Sequence, residues 1–190
     1  MNNPASLVRS PLLLSRDDSA LVVVDAQEKL LAIIPERDSL QTNLLKLLEA
    51  AKVLNVPVLA TEQYPERLGS SPTQLAEHMP KSNGKRSFSC GGCQQFTVEL
   101  SELTVRQIVL VGIETHVCIL QTAFDLLTAG FDVFVVVDAV GTRRRVDSET
   151  ALRRMEAVGV QLVSCEMVLF EWCGTSLADE FKTISEIVRR

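Results

Sequence analysis

This 190-residue chain lacks any apolar run of membrane-crossing length, so no membrane partner is expected. It also lacks an excess of positive charge: 19 Lys and Arg stand against 24 Asp and Glu, for a net charge of -5. Such a balance gives no general attraction to phosphates, and nucleic acid is not an expected partner. No export leader is expected either. Leu12, Leu13 and Leu14 form too short an apolar stretch, set among Arg9, Arg16, Asp17 and Asp18, with no small-residue cleavage site after it. A cytoplasmic location fits that reading. Cysteines are few and odd in number, five in all, which disfavours a disulfide framework and points to reduced thiols. Histidine is scarcer still, with only His78 and His116. Internal repeats and low-complexity linkers are missing. What remains is a chain 46% hydrophobic and 23% charged, the composition of a globular protein. Its length suits one large domain, here read as residues 1–190, that buries a core without disulfide or metal staples.

Three continuous β-branched and apolar runs end in a polar residue or glycine: Ala20 to Asp25, Gln107 to Gly112 and Phe131 to Asp138. Runs of this kind read as strands buried on both faces, as in a parallel sheet. Val56 to Thr61 and Val160 to Ser164 are shorter candidates. Between them, Leu40 to Leu54, Val117 to Thr128 and Glu149 to Val158 carry helical periodicity, and Asn55, Gly130 and Gly159 follow where a left-handed cap is usual. Alternating strands and helices predict a doubly wound, three-layer α/β/α fold with a mostly parallel, Rossmann-like central sheet. Ligands in such folds bind beyond the carboxyl ends of the strands. The stretch from Gln63 to Gly84, rich in Pro and Gly, reads as a long loop with one short helix near Thr73 to Glu77.

Asp25 closes the first strand, where a carboxylate suits a general base. The competing reading is an Asp that caps a loop. Cys118 falls where the strand QIVLVG turns into a helix. There the helix dipole and free N–H groups favour thiolate and can hold an oxyanion, although a buried structural cysteine would look the same. Lys85, at the exit of the long loop, would stabilise a thiolate and hold a carboxylate if it met them, and is otherwise a surface charge. Periodicity alone does not bring the three together.

An Asp closing the first strand, a Lys in K-x-x-F-S and a Cys in G-I-E-T-x-x-C together resemble the isochorismatase-like cysteine hydrolases, in register over roughly residues 18 to 188. The resemblance implies Asp25 as base, Lys85 as charge partner and Cys118 as nucleophile. It further implies a non-proline cis peptide at Ile113-Glu114 and an oxyanion hole from the N–H groups of Glu114 and Cys118. Nicotinamidases of the family carry an Asp and His metal site after the second strand. Thr61-Glu62-Gln63-Tyr64-Pro65 has no histidine there, so neither a metal nor another cofactor is expected. The presence of Cys118 favours a covalent thioester route over vinyl-ether cleavage. TEQYPERLG is similar to a metal-free, poorly characterised branch of the family.

Gln27, Tyr64, Phe88, Thr115 and Trp172 are the expected walls of a small-molecule pocket, with core packing the competing explanation. Phe170 and Trp172 would also suit a subunit interface, and the resemblance implies a homo-oligomer, a dimer or tetramer. Cys90-Gly91-Gly92-Cys93 could be a redox pair or half a zinc site, but zinc would need two more ligands. His116, two residues before Cys118, is too close in sequence to share a helix face with it. Arg143, Arg144 and Arg145 read as a solvated run. The alternatives to a hydrolase acting on a small amide-like or related carbonyl are a non-catalytic oligomeric binding relative and a CxxC redox protein.

Overall fold

A computed structural model describes residues 8–190. Its six strands are β1 (Ser19–Val24), β2 (Val58–Gln63), β3 (Asn83–Lys85), β4 (Gln107–Ile113), β5 (Asp132–Gly141) and β6 (Gln161–Val163). They lie in the order β3-β2-β1-β4-β5-β6, and every pairing is parallel. The chain winds outward from β1 to β2 and β3, then returns to the other side of β1 for β4. The switch point of this doubly wound sheet therefore lies between the carboxyl ends of β1 and β4. Residues 1–7, part of the segment read for a leader, lie outside the described residues.

Nine helices are present among the described residues. Four are long enough to cover the sheet between strands: α2 (Arg37–Leu54), α5 (Gln94–Glu102), α6 (Leu120–Thr128) and α7 (Arg145–Glu156). Single turns α1 (Glu28–Leu31), α3 (Pro65–Leu68) and α4 (Thr73–Ala76) lie in the loops, and α8 (Cys165–Cys173) and α9 (Phe181–Val188) complete the chain. Because strand side chains alternate, Leu21 and Val23 of β1 face one layer while Ala20, Val22 and Val24 face the other. The first layer holds α2, α8 and α9, whose Leu44, Leu47, Leu48, Leu169 and Ile184 are buried with β1, β4 and β5. Each such leucine, fully buried, contributes roughly 1.5–3 kcal/mol. The second layer is α5, α6 and α7, through Phe96, Ala123 and Met155.

The expected caps are in place: Asn55 is left-handed after α2, and Gly130 and Gly159 have positive φ after α6 and α7. The sheet differs from the sequence reading in having a sixth strand. β3 is three residues long and contains Gly84, too short for a period to show, and it forms because Thr61, Glu62 and Gln63 offer it a parallel edge. The region read as one loop also folds a turn at α3. α8 and α9 were not read from periodicity; α8 has apolar residues all round, as suits a helix packed into the core.

Candidate active site

Asp25 leaves β1 with φ of 52°, a left-handed conformation that Asp tolerates better than most residues. Its N–H donates to the Thr61 carbonyl (3.0 Å) and its carbonyl accepts from the Gln27 N–H (2.7 Å). These bonds aim a fully buried carboxylate across the strand ends. Lys85, the last residue of β3, is paired in register with Gln63 at the end of β2. Its ammonium is 2.7 Å from Asp25 Oδ2 and donates to Gln63 Oε1 (2.6 Å), the Phe88 carbonyl (2.8 Å) and the Ser87 carbonyl (3.1 Å). Those three neutral acceptors take its three N–H donors, and Asp25 Oδ2 is held at ion-pair distance. Thr61 donates to Asp25 Oδ1 at 2.9 Å.

Gly112 of β4 has φ of +112°, and a Cβ there would come within 2.1 Å of the Val24 carbonyl oxygen. Only glycine lets β4 approach β1 this closely at the switch point. The Ile113–Glu114 peptide that follows is cis. Next comes a π-helical turn, Thr115–Ile119, which carries Cys118 into α6. The Glu114 carbonyl accepts from the N–H groups of Val117 (3.0 Å) and Ile119 (3.3 Å) and passes over that of Cys118.

Cys118 is 7% exposed, and its thiol feels the charges of both Asp25 and Lys85. Burial first, then the Asp25 charge, push the thiol up to about 12, outweighing Lys85. Against the helix-start effect expected from the sequence, Cys118 sits in a desolvated turn near an anion, and both of these favour the neutral thiol. Burial also raises Asp25, against the pull of Lys85. A carboxylate raised in this way is a better proton acceptor than a solvated one. Cys90, buried in a short 3-10 turn (Cys90–Gly92), is 3.5 Å from Thr61 Oγ1 and is pushed up to about 11 by burial and by Asp25.

The structure therefore brings Asp25, Lys85 and Cys118 into one neighbourhood. It distributes the expected pocket walls differently. Phe88 is 54% exposed beside Lys85, and Tyr64 is partly exposed with the Arg86 guanidinium stacked 3.4 Å from its ring centre. Thr115 is fully buried within the turn. Gln27 is not a pocket group: its amide accepts from the Gln63 N–H and donates to the carbonyls of Gln63 and Gly69, tying the end of β1 to the end of β2. Trp172 is corrected as both pocket wall and interface residue. It is 2% exposed in the core layer of α2 and α8, on the opposite side of the sheet from Cys118, because α8 turns that side inward and leaves Phe170 outside.

The remaining motifs resolve by their partners. His116 Nδ1 bonds Thr142 Oγ1 (2.9 Å) rather than Cys118. Arg143 is exposed and its Nε donates to Glu114 at 2.9 Å, while Arg145 pairs with Glu149. All five cysteines are free thiols, and the Cys93 thiol donates to the Gly84 carbonyl at 3.7 Å. Among the described residues no group of three or more His, Cys, Asp or Glu is disposed to hold a metal ion, and no helix is long and apolar enough to cross a membrane. Thr61, Gln63 and Cys90 escaped the sequence reading as site residues. The signal for the first two was their period-2 spacing at the end of a strand adjacent to Asp25.

Residues 19–167 match the isochorismatase domain family. Isochorismatase domain-containing protein 2 of Xenopus laevis is 38% identical over 92% of this chain and 85% of its own length. Among solved structures, the MAR1 ribonuclease of Caenorhabditis elegans superposes with a TM-score of 0.88 at 35% identity, covering 94% of this chain and 93% of that one. YcaC of Escherichia coli, an octameric hydrolase of unknown specificity, superposes with a TM-score of 0.87 at 26% identity, covering 95% and 92%. The chain belongs to the isochorismatase family and has its three-layer α/β hydrolase fold.

Proposed function

We propose that this member of the isochorismatase family is a cysteine hydrolase of a small amide-like or related carbonyl compound, working through a thioester on Cys118 without a metal. The observation that carries the reading is a buried carboxylate held by Lys85 at 2.7 Å beside the Cys118 thiol, at the switch point of the sheet. Asp25 takes the thiol proton as sulfur attacks the carbonyl carbon, and the carbonyl electrons move onto oxygen. The N–H groups of Cys118 and Glu114 receive that oxyanion; the former is left free by the Glu114 carbonyl. Collapse expels the amine, which takes the proton from Asp25. Water then attacks the thioester, giving its proton to Asp25, and the acid leaves as the C–S bond breaks and the sulfur takes that proton back from Asp25. Lys85 balances the charge of the site when Asp25 is ionised.

The test is twofold. Iodoacetamide should label Cys118 ahead of the other four cysteines by peptide mass spectrometry. A panel of small amides should show turnover that Cys118→Ala abolishes. Uniform labelling of the five thiols would sink the proposal.

A non-catalytic binding relative is the second reading, favoured by the 7% exposure of Cys118 and its firmly protonated thiol. It predicts no Cys118-dependent turnover in the same panel. The ribonuclease name of the nematode neighbour adds one arm: RNA incubated with wild type and Cys118→Ala should remain intact in both, as the net charge of -5 favours a small substrate over a polyanion. The proposal further takes residues 1–190 as one catalytic domain in the cytoplasm that self-associates as a dimer or tetramer. Light scattering on the eluting protein reads the assembly size.

A further inference from the structure

Behind the Asp25 carboxylate lie two side chains that the steps above leave unused. We propose that Thr61 is a positioning residue for Asp25, and that the Cys90 thiol fixes the direction in which the Thr61 hydroxyl donates. This inference rests on Asp25 being the base for Cys118.

The Thr61 hydroxyl has one hydrogen and two acceptor lone pairs. It lies 2.9 Å from Asp25 Oδ1 and 3.5 Å from Cys90 Sγ. An ionised carboxylate only accepts, so the Thr61 hydrogen goes to Asp25 and the Cys90 thiol is left to donate into the Thr61 oxygen. The resulting chain runs from Cys90 Sγ–H to Thr61 Oγ1–H to Asp25 Oδ1. Thr61 is 1% exposed and Cys90 fully buried, so water does not compete for either position.

The backbone holds the chain in place. Thr61 is the register partner of Val24, its carbonyl accepts from the Asp25 N–H, and the Cys90 N–H donates to Thr122 Oγ1 at 2.9 Å. Cys90 suits the donor part because burial and the neighbouring carboxylate keep it a thiol. The groups facing Asp25 are Lys85 from β3, Thr61 from β2, Cys118 from the π turn and Cys90 from the 3-10 turn. Thr61 bonds Oδ1 and the Lys85 ammonium stands 2.7 Å from Oδ2, so the carboxylate is held from both sides. The lone pair offered to the Cys118 proton is then fixed in direction before any ligand arrives.

The experiment follows the rate of Cys118 alkylation by iodoacetamide, a neutral electrophile, from about pH 5 to about pH 9, across the range where a carboxylate with raised pKa titrates. In that reaction the S–C bond forms, iodide leaves and the thiol proton passes to Asp25. Thr61→Val keeps the shape and removes the donor; it should slow labelling about five- to tenfold near neutrality and move the acid limb to higher pH, since the ionised carboxylate loses a hydrogen bond. Thr61→Ser should return the profile to within about twofold of wild type. Cys90→Ala should shift the limb in the same direction by a smaller factor, about two- to threefold, and Cys90→Ser should restore it.

A Thr61→Val profile that overlays wild type overturns the inference. If Thr61→Val does not fold, by circular dichroism, the Cys90 pair decides: loss and recovery of the acid limb supports the inference, and an unchanged limb overturns it. Asp25→Asn separates the two claims. Labelling that depends on Asp25 but not on Thr61 overturns this inference alone, whereas labelling as fast in Asp25→Asn as in wild type removes the base assignment and the inference with it.

Discussion

Two buried polar clusters sit at opposite ends of the same strand pair, β1 and β4. At the amino end, Ser19 and Gln107 face each other in register and are almost wholly buried. Gln107 Oε1 accepts from the Ser15 N–H (2.8 Å) and the Ser19 hydroxyl (3.1 Å), while its Nε2 donates to the Leu13 carbonyl (3.0 Å). Neutral donors meet neutral acceptors, and the segment before β1 is tied to the sheet. At the carboxyl end the buried groups are an acid, an amine and thiols. Burial of polar atoms is common to both clusters and so does not itself mark a site. The difference is that the carboxyl end holds a carboxylate beside a thiol, with a proton to pass between them, whereas an amide and a hydroxyl hold nothing that titrates near neutrality.

The comparison breaks most easily through the charges. Lys85→Met leaves the Asp25 carboxylate buried and unpaired, and urea denaturation should show a loss of about 3–5 kcal/mol. A loss no greater than that of the amino-end variant would mean that charge adds nothing to the stakes at the carboxyl end. Gln107→Ala strands the Ser15 N–H and the Ser19 hydroxyl and should lower stability by about 1–3 kcal/mol. Its labelling rate at Cys118 should match wild type. A changed rate would show that the two ends are coupled.

Alkaline titration sharpens the contrast. Cys118 and Cys90 are raised from 9.0 to about 12 and about 11, as is Cys165 in the other layer to about 12. The folded chain therefore keeps protons that the unfolded chain gives up. That contribution to stability is whole below the ordinary thiol value of 9.0 and is lost as pH rises through 11 to 12. Unfolding free energy measured against pH should fall over that window. The slope should flatten in Cys118→Ala and stay as it is in Gln107→Ala. The smallest effect belongs to Phe88→Ala. At 54% exposure the ring should cost no more than about 0.5 kcal/mol in thermal melts. Labelling by a bulky electrophile should respond more than labelling by iodoacetamide.

Much of the fold was legible because burial on both faces of a parallel strand leaves a continuous apolar run. β1, β4 and β5 stand out for this reason, and Asn55, Gly130 and Gly159 mark the helix ends through their left-handed backbone. β3 was not legible: three residues around Gly84 carry no period, and their strand character comes from the edge of β2. In the site, Asp25, Lys85 and Cys118 were found through motif resemblance. Gln27 was misread because a buried amide spent on backbone looks in sequence like one that faces a ligand. Trp172 was misread because a single aromatic does not reveal which side of its helix turns inward.

By itself the sequence determined the alternation of strand and helix, the depth of the core and the chemical types held at the strand ends, since each follows from local period and side-chain chemistry. The tertiary structure alone decided that Lys85 reaches Asp25, that Thr61 and Cys90 stand behind the carboxylate, and that the Cys118 thiol rests protonated. Those outcomes depend on parallel register across strands distant in the chain and on the exclusion of water from their ends, and neither quantity is carried by any local stretch of residues.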